Sequence, residues 1–455
     1  VVVATVLVLG AAALVGGYAA TRAIRGDPRP LRIGSPPPAL RAATAVPTGP
    51  TATGSAGAAP VPAAAAVAAL LRPALAAVPL GGEVHADVLD ATTGAVLYAD
   101  GADAAGAPAS TAKLLTAAAV LATRGPDYRI TTTVRTDGAG TVVLVGVGDP
   151  TLSGAATGTA ADYPDAGRLA DLASAVRAAH VPVTSVVVDD TAFTGPTVSP
   201  AWAPGDAPSD YAAPITALMT DGGRAVPGAT IRSAAPDLDA ARRFAALLGA
   251  GAVPVQRGRV AAADTVVATV RSAPIATLVT QMLQASDNVI AECLARQVAI
   301  AGGGAPSFVG AAAAVRATLA GLGADPGPGM LDGSGLAAAD RLSAAALATL
   351  LRVVSGSTLR ALHDVLSALP VAGWSGTLAD RYLTGRASAA AGAVRAKTGT
   401  LTGVSTLAGV VHDADGRLLV FALLADRVPA GAVATAGAES ALDAAVSTLA
   451  GCGCR

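Results

Sequence analysis

With 455 residues, 52% of them hydrophobic and 14% charged, the chain has the length for two or three domains and the apolar content for a large core. A net charge of −1 offers no basic face for nucleic acid and no acidic tail, so a polyanion partner is not invoked. Cys293, Cys452 and Cys454 form no Cys-x-x-Cys pair and no His/Cys cluster of zinc-ligand spacing, so neither a metal nor a cofactor is expected.

Val1 to Ala20 is an uncharged apolar run about as long as a bilayer-spanning helix, an export signal or an uncleaved anchor. Residues 21–62 are rich in Pro, Ala, Thr and Gly and read as a stalk. A helix is predicted over Ala63 to Ala77, then strands over Glu83 to Asp90 and Ala95 to Ala99 around the turn Ala91-Thr-Thr-Gly94. Pro108-Ala-Ser-Thr-Ala-Lys113 opens an apolar helix that stops at Gly125-Pro126. Strands (Tyr128 to Arg135, Thr141 to Val147, Val183 to Asp189) and helices (Asp165 to His180, Leu238 to Leu248) follow. The stretch 131–271 carries no catalytic constellation and reads as an insertion with its own core. A long helix is predicted from Pro274 through Ser286-Asp-Asn288, with further helices to about Leu378. Strands over Val394 to Leu401, Ser405 to Val411 and Arg417 to Leu424, then a helix from Gly431 to Leu449, complete the chain. First and last strands with helices between predict one antiparallel sheet built from both chain ends.

Lysine occurs only at Lys113 and Lys397; arginine fills every other basic position. Arginine does not release its proton, whereas a buried lysine can. Three positions along a helix share a face, so the Ser110 hydroxyl and the Lys113 amine stand side by side. A serine nucleophile needs such a base, and free lysine, with a pKa near 10.4, is neutral in only about one molecule in a few thousand at pH 7. Burial and a second lysine facing the site correct this. Ser286 is the candidate proton relay to the leaving amine, and Asn288 the candidate holder of a substrate amide. Lys397 on its strand attracts a substrate carboxylate, with the Thr398 and Thr400 hydroxyls adding hydrogen bonds. The strand edge pairs an extended peptide, and the Ser110 and Thr400 N–H groups make the oxyanion hole.

Ser110-Thr-Ala-Lys113, Ser286-Asp-Asn288 and Lys397-Thr-Gly399, in this order, resemble the motifs of a penicillin-binding protein of the D-alanyl-D-alanine carboxypeptidase/endopeptidase family, the low-molecular-mass class C serine DD-peptidases. Gly146-Val-Gly-Asp-Pro-Thr-Leu152, Tyr211-Ala-Ala-Pro-Ile-Thr-Ala-Leu218, Asp332-Gly-Ser-Gly-Leu336 and Leu369-Pro-Val-Ala-Gly-Trp-Ser-Gly-Thr-Leu378 add to the likeness, which spans about 65 to 450. The resemblance implies an α/β (α+β) fold: a serine β-lactamase/DD-transpeptidase-like catalytic domain (63–130 and 272–455) with inserted accessory domains at 131–271. It implies cleavage of D-Ala-D-Ala, and of cross-links, in peptidoglycan stem peptides, and covalent trapping by β-lactams at Ser110.

Two alternatives stand beside it, a β-lactamase-like hydrolase and a non-catalytic wall-binding protein of the same fold. Glutamate occurs only at Glu83, Glu292 and Glu439, and Glu292 reads as a salt-bridge residue rather than a deacylation base. A pure binder has no need of both lysines. Arg22, Arg25, Arg29 and Arg32 after the apolar run would put that side in the cytoplasm by the positive-inside tendency, but the wall substrate puts the domain outside, exported or anchored to the membrane.

Overall fold

The two ends of the chain build one sheet. In the computed structural model residues 59–454 are described; the apolar run Val1–Ala20 and the stalk up to residue 58 lie outside them. Helix α1 (Ala64–Leu75) runs through Pro73 and precedes β1 (His85–Asp90), β2 (Val96–Asp100), the short β3 (Ala105–Gly106) and α2 (Lys113–Arg124). Next come β4 (Thr131–Thr136), β5 (Thr141–Val145), α3 (Leu169–Ala178), β6 (Ser185–Asp189), α4 (Pro236–Leu247), β7 (Val255–Arg257) and β8 (Thr265–Arg271). Four helices follow, α5 (Ile275–Ala285), α6 (Asn288–Ala301), α7 (Phe308–Gly321) and, after β9 (Leu342–Ser343), α8 (Ala344–Gly356). The chain ends with α9 (His363–Ala368), β10 (Val394–Leu401), β11 (Val404–His412), β12 (Leu418–Ala425) and α10 (Ala432–Ala450).

The main sheet has the order β10-β11-β12-β1-β2, antiparallel throughout, with β1 joined to β12 in the register His85↔Leu424. Strand β12 is apolar at every position because both faces of the sheet are covered. Val420, Ala422 and Leu424 face a core shared with α2, α5, α6 and α8; Leu419, Phe421 and Leu423 face one shared with α1 and α10. This is the two-residue alternation of a strand, read by two layers of helices. The antiparallel sheet made from both chain ends is as the sequence predicts.

Residues 131–271 supply a second five-stranded sheet, β7-β6-β5-β4-β8. Here β5, β6 and β7 are parallel neighbours, while β4 is antiparallel to β5 and β8. Val134, Leu144 and Val188 pack with Leu172 of α3 and Phe244 of α4 in a core of their own. Strands β7 and β8 are absent from the sequence reading: of β8 only Ala268 is buried, so no inward-facing pattern marks it.

Candidate active site

Residues 109–112 form a single 3₁₀ turn that passes directly into α2 at Lys113. The sequence reading placed Ser110 on the α-helix itself. In the tighter 3₁₀ winding, positions three apart eclipse, and this turn aligns Ser110 with Lys113. The Lys113 Nζ–Ser110 Oγ distance is 2.8 Å. Ala109 has φ +46°, uncommon for a residue with a side chain, and its backbone is held from two sides. Any Cβ on Gly335 would collide with the Ala109 carbonyl. One on Gly399 would collide with Thr406 Oγ1 and stand 2.8 Å from Pro108 O and 3.0 Å from Ser110 N. Thr406 Oγ1 donates to the same Pro108 carbonyl at 2.8 Å. The main chain of Lys397-Thr-Gly399 thus lies against the Ser110 turn with no room for a methyl group. Gly399→Ala is expected to lower the rate of acylation by a β-lactam by about two orders of magnitude, since a displacement near 1 Å at a reacting group costs that much. Stopped-flow acylation of a folded variant at the wild-type rate would contradict this contact.

Lys113 is fully buried. Its Nζ donates to Ser110 Oγ, to Asn288 Oδ1 at 2.6 Å and to the Ser334 carbonyl at 2.7 Å. Burial lowers its pKa, the carboxylates of Asp332, Asp287, Glu292 and Asp340 oppose this, and the balance is about 8. The Ser334 carbonyl is held by carboxylates beneath it. Asp332 Oδ1 accepts from Ser334 N (3.0 Å) and Gly335 N (2.6 Å), and its Oδ2 from Ala337 N (2.8 Å) and Trp202 Nε1 (2.7 Å). Glu292 accepts from Gly333 N at 2.9 Å and pairs with Arg296 at 3.1 Å, the salt-bridge role expected of it. Burial, with the Asp332 charge beside it, raises Asp340 to about 9.

The Ser286-Asp-Asn288 motif does not lie inside one helix. Helix α5 ends at Ala285, Ser286 takes a left-handed conformation (φ +55°), and Asp287 caps α6 by accepting from Val289 N and Ile290 N. That conformation costs a residue with a Cβ about 1–2 kcal/mol. Asn288 is turned to Lys113 through Oδ1 and donates from Nδ2 to the Tyr211 carbonyl at 3.2 Å. Ser286 is half-buried, and the Lys113 amine bonds to Ser110, Asn288 and Ser334 rather than to it.

Strand β10 is an edge of the main sheet, but only in part. Ala372 N bonds to Val394 O and Ala396 N to Pro370 O, each 3.0 Å, so the segment around Val371 covers the first half. By alternation the main-chain groups of Thr398 and Thr400 face the same side, beyond that cover. Lys397 is fully buried and its Nζ donates to the Thr398 carbonyl at 2.7 Å. Burial, with the charges of Lys113 and Arg381 nearby, pushes its pKa well below the usual lysine range. The Thr398 hydroxyl meets that of Thr377 at 2.8 Å, and the Thr400 hydroxyl donates to Glu439 at 2.9 Å. Ser110, Lys113, Asn288 and the Lys397 strand therefore converge. The Ser334 carbonyl, Asp332, Trp202, Tyr211, Tyr163 and Arg232 also belong to this neighbourhood and carry no role in the sequence reading. Tyr211 and Asp332 lie in stretches noted there only for their resemblance.

Comparisons with known proteins show the family. The model of the D-Ala-D-Ala carboxypeptidase 3 (S13) family matches residues 67–230 and 225–449. The chain is 43% identical over 400 residues to carboxypeptidase DacB of Mycolicibacterium smegmatis, covering 84% of each protein. It is 30% identical over 420 residues to the D-alanyl-D-alanine carboxypeptidase of Actinomadura sp. strain R39, covering 73% of this chain and 75% of that one. Penicillin binding protein 4 of Haemophilus influenzae shares its fold, with a TM-score of 0.67 at 19% identity, over 83% of this chain and 98% of that one. A family match across nearly all the described residues, over a half-buried serine beside a buried lysine, leaves one conclusion: the chain belongs to the D-Ala-D-Ala carboxypeptidase 3 (S13) family and is a serine-type carboxypeptidase.

Proposed function

We propose that the enzyme cleaves the terminal D-Ala-D-Ala bond of peptidoglycan stem peptides, and their cross-links, through an acyl-enzyme on Ser110, and that β-lactams acylate the same oxygen. The observation that carries this reading is the buried Lys113 Nζ 2.8 Å from Ser110 Oγ. A neutral amine has two N–H groups and one lone pair. The Asn288 and Ser334 oxygens can only accept from Lys113 in this arrangement, so they take the two hydrogens and leave the lone pair aimed at Ser110. Ser110 Oγ, giving its proton to that lone pair, attacks the carbonyl carbon of the penultimate D-Ala. The oxyanion is held by the N–H groups of Ser110 and Thr400. The proton then returns, with Ser286 as relay, to the departing D-Ala nitrogen as the C–N bond breaks, and water hydrolyses the ester.

Lys397 receives the substrate carboxylate, which would in turn restore its ammonium form. Thr398 and Thr400 then exchange their present partners for the bound chain. A β-lactamase would need a free base for its hydrolytic water, and Glu292, buried with both oxygens engaged, does not offer one. Residues 63–130 and 272–455 form the catalytic domain in this reading, and 131–271 an inserted accessory region that restricts which wall fragments approach. Mapping the residue labelled by a fluorescent penicillin, together with release of D-Ala from a stem pentapeptide, tests the proposal. A label on a serine other than Ser110 would refute it.

Action of this family on peptidoglycan is extracytoplasmic. We further propose that Val1–Ala20 exports the chain or anchors it to the cytoplasmic membrane, with residues 21–62 as stalk; among the described residues no helix is long and apolar enough to cross a membrane. Protease added to intact spheroplasts is expected to remove the catalytic domain, or the domain is found in the medium. A domain protected until lysis would overturn this placement.

A further inference from the structure

We propose that Tyr163 and Arg232, both from the region between β4 and β8, are positioning residues for acylation, acting through Asp287 to hold the Ser286–Asn288 turn against Lys113. This rests on the reading of Ser110 and Lys113 as the acylating pair, and adds a duty to a region that the sequence reads as purely accessory.

The Asp287 carboxylate divides its work between two oxygens. Oδ1 caps α6, accepting from Val289 N at 2.8 Å and Ile290 N at 3.1 Å. Oδ2 points the other way and accepts from Tyr163 OH at 2.8 Å and Arg232 Nη2 at 3.1 Å. A helix cap needs only the first oxygen; the second ties the motif to a distant part of the chain. The pair is nearly dry, with the Arg232 and Asp287 side chains 3% and 6% exposed. Burial alone would raise the Asp287 pKa, but the Arg232 and Arg224 charges and its hydrogen bonds prevail, and the group stays an anion.

The anchors are themselves fixed. Arg232 Nη1 donates to the Gly222 carbonyl, and Arg224 Nη1 donates to Tyr163 OH at 3.2 Å and to Asp221 O at 2.7 Å. Gly222 (φ +67°) has no room for a side chain, because a Cβ there would meet the Tyr163 hydroxyl and stand 2.7 Å from Arg232 Nη1. On the other side of Asp287, its chain neighbours are the left-handed Ser286 and Asn288, whose Oδ1 lies 2.6 Å from Lys113 Nζ. The same region also holds Asn288 through the Tyr211 carbonyl. Releasing the second Asp287 oxygen frees the turn to relax, and the displacement reaches Lys113 through Asn288 and the leaving-group side through Ser286.

The test uses the full chain carrying Tyr163→Phe, Arg232→Gln or Arg232→Lys. Stopped-flow acylation by a chromogenic cephalosporin separates the saturating rate from the preceding dissociation constant, and thermal melting follows stability. Tyr163→Phe, which removes the hydroxyl's bonds to Asp287 and Arg224 but no charge, is expected to lower the saturating rate about tenfold, with the dissociation constant unchanged. Arg232→Gln is expected to lose about a hundredfold and Arg232→Lys to recover part of that loss. Should Arg232→Gln fail to fold, Tyr163→Phe decides. Wild-type saturating rates in Tyr163→Phe and Arg232→Lys, whatever their melting temperatures, would reduce the contact to a structural brace and overturn the proposal. Ser110→Ala in the same assay separates the two failures: surviving acylation there would sink the nucleophile assignment on which the clamp rests, whereas its loss together with wild-type rates in Tyr163→Phe and Arg232→Lys would sink the clamp alone.

Discussion

Ser110→Ala is expected to abolish covalent labelling by penicillins and to lower carboxypeptidase turnover by about four to six orders of magnitude, the range seen when a nucleophile is deleted from a concerted set. The protein should fold normally, since Ser110 is only half-buried and, among the described residues, its hydroxyl bonds only to Lys113. What remains is rate enhancement from substrate binding and the oxyanion donors, which do not depend on the hydroxyl. Labelled protein visible on a denaturing gel after Ser110→Ala, with the label mapped to another serine, would remove the basis of the mechanism.

Lys113→Arg is expected to fail almost as completely as Lys113→Ala, although it keeps the positive charge. A guanidinium holds its proton at any usable pH and has no lone pair to offer Ser110. The wild-type pH profile follows from the same group. With a Lys113 pKa of about 8 the amine is neutral, and active, above that value. kcat/KM should therefore rise with pH, reach half its plateau near pH 8, and fall about tenfold per unit well below it. The sign is informative: an ammonium required in its charged form would give the opposite limb. Acylation by the arginine variant within tenfold of wild type, or a profile flat from pH 6 to about 9, would refute the base assignment.

Much of this site is legible in the sequence, for physical reasons that can be named. Lys113 and Lys397 stand out because arginine cannot replace an amine that must be desolvated, and all other basic positions accept arginine. Strand β12 is legible because a strand buried on both faces demands continuous apolar residues, and the edge strand β10 is legible by its Lys397-Thr-Gly399 motif instead. Ser334 is not legible as a partner of Lys113: the contributing group is a main-chain carbonyl, and every residue has one. The break at Ser286 is hidden too, because serine gives no warning of a left-handed backbone as glycine would. Tyr163 and Arg232 lie 124 and 55 positions from Asp287, and only the folding of the intervening sheet brings them to it.

The main sheet also fixes when in the life of the chain activity can begin. Strand β1, among the first to be made, lies between β2 and β12, and its register pairs His85 with Leu424. A chain ending before Leu418 has the Ser110–Lys113 turn but leaves β1 with β2 as its one neighbour in this sheet. Closing so long a loop adds little to the entropic cost, which grows only with the logarithm of length, but it makes the pairing a late event. The nucleophile and the Lys397 strand are synthesised far apart and become a single site only when the sheet closes. A nascent or truncated chain of that length therefore carries the serine without the Lys397 strand docked beside it in the closed sheet. Catalytic competence arrives in one step, with the C-terminal strands.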